Sequence, residues 1–450
     1  VKYDFVVIGV GAAGEAAAHL ALERGASVAV VDRELFGGSC AFWACIPSKS
    51  LLHDAGIHIL QPSHSWEAAS DRRDWNINRE KIPWPDDSTH VKFLEEAGAR
   101  IIRGTARIDA PGRVAVSREH EADEVLDAGN IIVAIGSQSS LPPIDGLDAA
   151  KPWTNREATS ARELPKSLLI LGGGPTGIEL AQVYARFGVP VTLVHSHELL
   201  NQRDHPRNSE LIKSILEADG VNVMTGVRAG RVRARAGDDG AHLVELSGGG
   251  TASGHEILLS IGRTVPTDGL GLENAGVRLH DGKLPADGTL RLAEGVWVAG
   301  DPAGPEMHTH LAHYQGEMVV RMALGDDVQP DYRAIPRAIY LDPEIASVGH
   351  TLDEASAAGI DAREYSEDVA KTAKGYVADS KGHVTIVVDR AARELAGAFI
   401  GGPGASETIH EAVLAIKART SIDVLADTLH AFPTLARVLG TALVRASRDR

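Results

Sequence analysis

Two cysteines, Cys40 and Cys45, are the only thiols in 450 residues. Both lie in one short segment, Gly37-Gly38-Ser39-Cys40-Ala41-Phe42-Trp43-Ala44-Cys45-Ile46-Pro47-Ser48-Lys49. A structural disulfide usually closes a longer loop or belongs to a small secreted domain, and neither description fits here. Structural zinc wants four ligands, and there is no second cysteine pair to complete the set. The spacing and its neighbours point to a redox-active pair.

The elements that must position this pair follow one grammar, written twice. Tyr3 to Ile8 reads as an apolar strand, followed by Gly9-Val10-Gly11-Ala12-Ala13-Gly14, an Ala-rich helical stretch to Arg24, and a second strand ending at Asp32. Ser167 to Leu171 repeats the strand, followed by Gly172-Gly173-Gly174-Pro175-Thr176-Gly177, a helical stretch to Phe187, and the strand Val191 to Val194. A glycine loop between strand and helix lets backbone approach a pyrophosphate, which the helix N-terminus favours through its unpaired N–H groups and dipole. Gly9, Gly11 and Gly14 form the first cradle, and Gly172, Gly174 and Gly177 the second. Asp32, at the end of the second strand, is placed to bind a ribose hydroxyl. Two such loops imply two nucleotides.

Composition narrows the class. Hydrophobic residues make up 44% and aromatics 4%, and the net charge of −16 argues against nucleic acid as a partner. No apolar run approaches the roughly 18 residues of a membrane span. The first residues read as a strand rather than a signal peptide, so the expected location is cytoplasmic, with no membrane insertion. Residues 61–90, punctuated by Pro and by Trp66, Trp75 and Trp84, read as a surface excursion with little regular structure. From Arg333 onward strands such as His383 to Asp389 precede helices such as Glu407 to Lys417, an α+β pattern.

In their order, the two loops and the CxxxxC pair resemble the class I pyridine nucleotide-disulfide oxidoreductases, the flavin disulfide reductases that include dihydrolipoamide dehydrogenase and mercuric reductase. Further matching pieces are Ala134-Ile135-Gly136-Ser137, Ser260-Ile261-Gly262-Arg263, Ala299-Gly300-Asp301, Leu341-Asp342-Pro343-Glu344 and Gly402-Pro403-Gly404-Ala405-Ser406-Glu407. The resemblance implies an α/β chain with two Rossmann-like dinucleotide-binding domains and an α+β C-terminal domain that makes a homodimer. FAD would be bound by residues 1–147 and 265–332, NAD(P) by 148–264, and the interface formed by 333–450. It also implies that Asp301 holds the ribityl chain of FAD and that Gly37, Gly38 and Ser39 pass near its pyrophosphate, with Ala134, Gly136 and Gly262 in further cofactor-binding motifs. Cys45 would be the sulfur nearest the flavin and Cys40 the interchange thiol that meets a small-molecule acceptor. Lys49 and Glu179 match a pair beside the flavin ring, where a cation stabilises negative charge on reduced flavin.

The chain departs from that pattern at its end. Disulfide-reducing relatives carry a His-Pro-Thr-x-x-Glu motif whose histidine serves the interchange thiol as acid and base. The matching stretch, Leu429 to Arg437, has Phe432 in place of the histidine and Arg437 in place of the glutamate. Phenylalanine transfers no proton, and losing a positioned base costs about 10²–10⁴ in rate. 2-Ketopropyl-coenzyme M oxidoreductase/carboxylase is similar in having Phe at this position. His430 is either a substitute base or an interface hydrogen-bonding residue. Phe42, Trp43 and Ala44 either make an apolar approach to Cys40 or pack beneath the flavin.

The second unit ends in His195, Ser196 and His197, with Arg203 beyond, where NAD-preferring relatives place a carboxylate. The absence of that carboxylate favours NADPH over NADH. Met307-His308-Thr309-His310 and His313 admit a metal reading, but the resemblance instead places His310 beside the flavin, so no metal is expected.

Overall fold

The computed structural model describes residues 2–80, 84–118, 120, 122–280, 284 and 288–449. Its first half runs β1 (Lys2–Ile8), α1 (Ala12–Glu23), β2 (Val28–Asp32), α2 (Gly38–Phe42), α3 (Cys45–Leu60), α4 (Trp66–Asn78), α5 (Ser88–Glu96), β3 (Arg100–Arg103) and β4 (Glu124–Val133). There follow β5 (Leu168–Leu171), α6 (Pro175–Arg186), β6 (Val191–Val194), β7 (Asn222–Met224), β8 (Glu256–Leu259), β9 (Val296–Val298) and α7 (Thr309–Ala323). The last third contributes β10 (Arg337–Ile339), β11 (Ile345–Gly349), β12 (Ala362–Asp368), β13 (His383–Asp389), β14 (Glu394–Gly401), α8 (Ala405–Ala418) and α9 (Leu435–Arg448).

Two compact units result. One comprises Val1–Ser50, Ser70–Ser140 and Gly262–Pro330; the other comprises Leu51–Ala69, Leu141–Ile261 and Asp331–Arg450. The first is built on an eight-stranded sheet in which β9-β4-β1-β2-β3 lie side by side and parallel. In such a sheet both faces are covered, so β1 reads as a continuous apolar run from Phe5 to Ile8, buried throughout. Burying each such side chain contributes about 1.5–3 kcal/mol. The second unit repeats the parallel arrangement as β7-β6-β5-β8 and adds an antiparallel sheet ordered β10-β11-β14-β13-β12, against which α8 and α9 close a core. The fold is α/β with two Rossmann-like sheets and an α+β C-terminal part.

Glycine sets the tightest approaches. At Gly9 (φ 90°) a Cβ would come within 2.5 Å of the Ala134 carbonyl oxygen, and at Gly14 within 2.1 Å of the Gly9 carbonyl oxygen. These contacts hold the loop flat against the end of β4, where Ala134 N–H donates to Ile8 at 2.8 Å.

Residues 61–90 correct the sequence reading, for α4 and the start of α5 occupy much of the expected irregular excursion. Along α4 the buried positions are Trp66, Ala69, Ser70, Arg73 and Asp74, which is helical spacing. Three of the five are polar. Arg73 Nε donates to Asp74 Oδ1 at 2.8 Å inside the fold, so a search for apolar periodicity passes over the stripe.

Gly14→Ala is expected to destabilise the protein by about 1–3 kcal/mol through overpacking. Gly56→Ala, where a Cβ meets nothing within 4 Å, should be neutral or slightly stabilising. Denaturant unfolding of both variants checks the pair; equal stabilities would contradict the packing argument.

Candidate functional site

In the first unit the Gly9–Gly14 loop meets the turn that introduces the cysteines. Gly37 N–H donates to Val10 at 2.8 Å, and a Cβ on Gly38 would stand 2.7 Å from the Gly11 Cα. Asp32 braces the same loop. Its carboxylate accepts from Val10 N–H at 2.7 Å and Glu34 N–H at 2.8 Å, and burial raises its pKa against the pull of those two bonds. Each oxygen retains a lone pair for a ribose hydroxyl, but its first task here is to hold backbone. Ser39 follows in the first turn of α2.

The cysteines meet a residue far along the chain. Cys40 lies within α2 and Cys45 begins α3, and the hydroxyl of Thr309, first residue of α7, is 3.2 Å from the Cys40 sulfur and 3.3 Å from that of Cys45. Both cysteines are half-buried. The neighbouring Cys45 sulfur and burial push the Cys40 thiol well above its ordinary pKa, while the Thr309 hydroxyl pulls the other way. The first two influences disfavour the thiolate, which is the nucleophilic form.

Gln315, fully buried one turn and a half along α7, fixes the segment between Asp301 and Thr309. Its Oε1 accepts from Gly300 N–H at 2.9 Å and its Nε2 donates to the Gly304 carbonyl at 2.5 Å. Asp301 is held by the Ser137 hydroxyl and lies 3.7 Å from Arg263, whose Nε donates to Ser137 at 2.6 Å. Gly136 (φ 63°) leaves open space beside this cluster, while a Cβ on Gly262 (φ 125°) would stand 3.8 Å from Ser140 Oγ. Glu306 pairs with His308 at 2.8 Å, and the His308 ring stacks on that of His310, which is exposed. Among the described residues no group of three or more His, Cys, Asp or Glu could hold a metal ion.

Lys49 Nζ donates to Ser48 Oγ at 3.3 Å in the first unit. Glu179, in α6 of the second unit, is buried, and its Oε1 accepts from Tyr340 N–H at 3.0 Å.

The second glycine loop is built like the first. A Cβ on Gly172 would fall 2.1 Å from the Ser260 carbonyl oxygen, and Gly177 N–H donates to Ser260 Oγ at 2.9 Å, while Gly174 caps α6 with space before it. His195 closes one side. Its Nδ1 accepts from Gly173 N–H at 3.1 Å, and burial, followed by the neighbouring His197, lowers its pKa. A ring held this way is neutral. With Nδ1 accepting, Nε2 carries the hydrogen, and it is buried with no partner among the described residues: an orphaned donor beside the loop. Such a donor suits a ribose hydroxyl or phosphate oxygen, and a true cation would have to be Arg203, exposed in the turn beyond β6.

At the C-terminal end His430 is hydrogen-bonded within its own chain. Its Nε2 bonds Glu411 at 2.8 Å, and its Nδ1 is buried where a Cβ on Gly440 would come within 2.6 Å. Phe432 is 74% exposed, an unusual position for a phenylalanine ring. Arg437 is exposed in the first turn of α9, its N–H capped by Thr434 at 3.1 Å.

Sequence reasoning missed Thr309, Gln315 and the Glu306–His308 pair. Thr309 and His308 stood inside a noted histidine-rich run, but adjacency in sequence gave no sign that the threonine reaches the sulfurs.

Two nucleotide-type sheets with glycine cradles and a thiol pair beside the first define a dinucleotide-dependent thiol oxidoreductase. Comparison sharpens the class. The model of the pyridine nucleotide-disulphide oxidoreductases matches residues 3–316, and the dimerisation domain of the same enzymes matches residues 335–443. The chain is 32% identical to a mercuric reductase of Streptomyces lividans, over 98% of this chain and 95% of that one. It is 31% identical to a dihydrolipoyl dehydrogenase of Chlorobaculum tepidum, over 98% and 96%. Among solved structures, a Cu(II) complex of the HOCl-induced flavoprotein disulfide reductase RclA from Escherichia coli superposes with a TM-score of 0.88 at 25% identity, covering 99% of each chain. LpdA from Mycobacterium tuberculosis gives 0.86 at 27%, covering 98% of this chain and 99% of that one.

The chain belongs to the pyridine nucleotide-disulfide oxidoreductase family, enzymes that act on sulfur groups and use FAD and NAD(P)H. No described helix is long and apolar enough to cross a membrane.

Cys45→Ala removes the largest influence raising the Cys40 pKa. The Cys40 thiol should therefore ionise at lower pH, and its alkylation by iodoacetamide at pH 7.5 should speed up severalfold over the reduced wild type, read by mass spectrometry. An unchanged or slower rate would show that Cys45 does not suppress the thiolate.

Proposed function

We propose that this chain is an NAD(P)H-dependent flavoprotein in which Cys40 and Cys45 form the redox-active pair. Its acceptor does not depend on rapid proton transfer at Cys40: an unusual disulfide, an electrophilic small molecule or a quinone. The single observation that carries this reading is the Thr309 hydroxyl lying against both sulfurs in the unit that also holds the first glycine cradle. FAD, bound by the Gly9–Gly14 loop, Asp32, the Gly37–Ser39 turn and Asp301, would carry two electrons between the nicotinamide nucleotide and the sulfur pair. The closeness of Gly9, Gly14 and Gly38 to neighbouring backbone, where no side chain fits, supports that assignment.

Each sulfur keeps its family role, Cys40 facing the acceptor and Cys45 resolving. Thr309 keeps both sulfurs in register, and its hydroxyl offers a hydrogen bond to whichever carries charge. Lys49 and Glu179 act as the family pair beside the flavin ring. Phe432 and Arg437 leave Cys40 without the usual base, and the engagement of His430 with Glu411 argues against its taking over.

NADPH is the preferred donor, with His195 donating a neutral hydrogen bond and Arg203 supplying charge. The functional unit is a homodimer. The dimerisation domain supports this, as do Leu414, Val424, Leu429 and Phe432, all more than half exposed in the single chain.

Single-turnover reoxidation tests the reading. Enzyme reduced anaerobically with one equivalent of NADPH is mixed with lipoamide, glutathione disulfide, an aryl disulfide or a quinone, and flavin absorbance is followed in wild type and Cys40→Ser. An aryl disulfide or quinone should outpace lipoamide, with His430→Ala unchanged. Rapid lipoamide turnover that falls by about 10² or more in His430→Ala would restore the ordinary reductase reading. No bleaching by NADPH would remove the catalytic one.

A further inference from the structure

A solvent-open cavity of about 410 Å³ lies in the first unit between α1, α5 and α7. Its α7 wall begins one helical turn beyond the residue that touches the thiol pair. Thr309, which touches both sulfurs, is followed at intervals of four on α7 by His313 and Glu317, and these two line the cavity. Residues so spaced share one helix face, each about 6 Å further along. From the opposite wall, the His90 ring packs beneath Gly37, where a Cβ would be 2.8 Å from it, and meets Phe42 edge-on at 5.6 Å. Gly37 caps α2 and Phe42 ends it, with Cys40 between them.

The lining chemistry is distinctive. Along α1, Glu15, His19 and Glu23 repeat the four-residue spacing, and among the described residues no lysine or arginine lines the cavity. Glu15 bonds His90 at 2.7 Å and raises its pKa, so that pair is close to neutral as a unit. Glu23 and Glu317 then leave the cavity with a net negative charge. The Phe93 ring, 62% exposed and 4.5 Å from that of His19, gives it an apolar, π-rich wall. Carboxylates beside an aromatic face suit a cation carried on an apolar arm and repel anions.

We propose that this cavity is the acceptor site and that it selects amine-bearing, cationic disulfides over anionic ones. The inference rests on the thiol-pair reading above and supplies its substrate class. The Cys40 thiolate attacks one sulfur of the acceptor RS–SR, forming Cys40–S–SR and releasing RS⁻. The Cys45 thiolate then attacks the Cys40 sulfur, re-forming the Cys40–Cys45 disulfide and releasing the second RS⁻. Two electrons pass from the dithiol to the acceptor, and the two protons from the cysteine thiols end on the two product thiols.

Charged methanethiosulfonates test the selection without requiring turnover. The thiolate displaces methanesulfinate and keeps the –SR group as a mixed disulfide. In the Cys45→Ser holoenzyme, reduced and freed of reductant, Cys40 labelling is timed with the trimethylammonium-ethyl and sulfonato-ethyl reagents, each normalised to a free thiol. The cationic reagent should lead by roughly tenfold or more at low ionic strength, the lead shrinking with salt. Glu23→Lys and Glu317→Lys should each cut the ratio severalfold. Glu273→Lys, an equal charge change on an exposed residue of the same unit outside the cavity, should leave it unchanged. Equal ratios in the three lysine variants, or no cationic lead in the parent, would overturn the proposal. Reoxidation of NADPH-reduced wild type by cystamine and dithiodipropionate separates the two readings. If charge selection of labelling is present but neither disulfide reoxidises the enzyme, the functional reading fails while the cavity's selectivity stands.

Discussion

The contact on which the site depends is the hydroxyl of Thr309 against two sulfurs that precede it by 269 and 264 residues. It exists only because α7 packs against α1 at nearly backbone distance. A Cβ on Gly316 would fall 2.3 Å from the Ala13 carbonyl oxygen, so this crossing demands glycine on one helix and small residues, Ala13 and Ala17, on the other. Gln315 then ties the turn after β9 to the same helix. Moving α7 by one residue would withdraw the hydroxyl from the thiols and loosen the loop that carries Asp301.

Electrostatics in the two nucleotide loops follows one plan. Each uses a polar side chain at the end of its second strand to satisfy backbone N–H groups, Asp32 for Val10 and His195 for Gly173. Left unpaired, a buried N–H of this kind would cost about 1–3 kcal/mol. The difference is charge. The first loop carries a buried carboxylate and the second a neutral imidazole whose remaining N–H has no partner among the described residues. A ligand meeting the first loop finds an acceptor, whereas one meeting the second finds a donor.

Much of this was legible in order alone. Strand, glycine loop, helix and strand follow one another twice with apolar strands too short for anything but a buried parallel sheet, and the structure has both sheets. The α+β character of the C-terminal part also followed from its pattern. The helix α4 was hidden because a buried Arg–Asp pair occupies part of its inward stripe, and periodicity of apolar residues cannot register a face stabilised by ions.

The sequence by itself determined which residue types are available: two thiols, two glycine cradles, and a Phe and an Arg where a base and its carboxylate are usual. These are chemical facts, fixed by side-chain identity. Only the tertiary structure decided what each residue faces. It set Thr309 against both sulfurs, made His195 a neutral brace for the second loop, and bonded His430 to Glu411. It also gathered glutamates and histidines of three separate helices around one cavity. Proton affinity and ligand charge depend on distance and burial between residues far apart in the chain, and linear spacing carries no record of either.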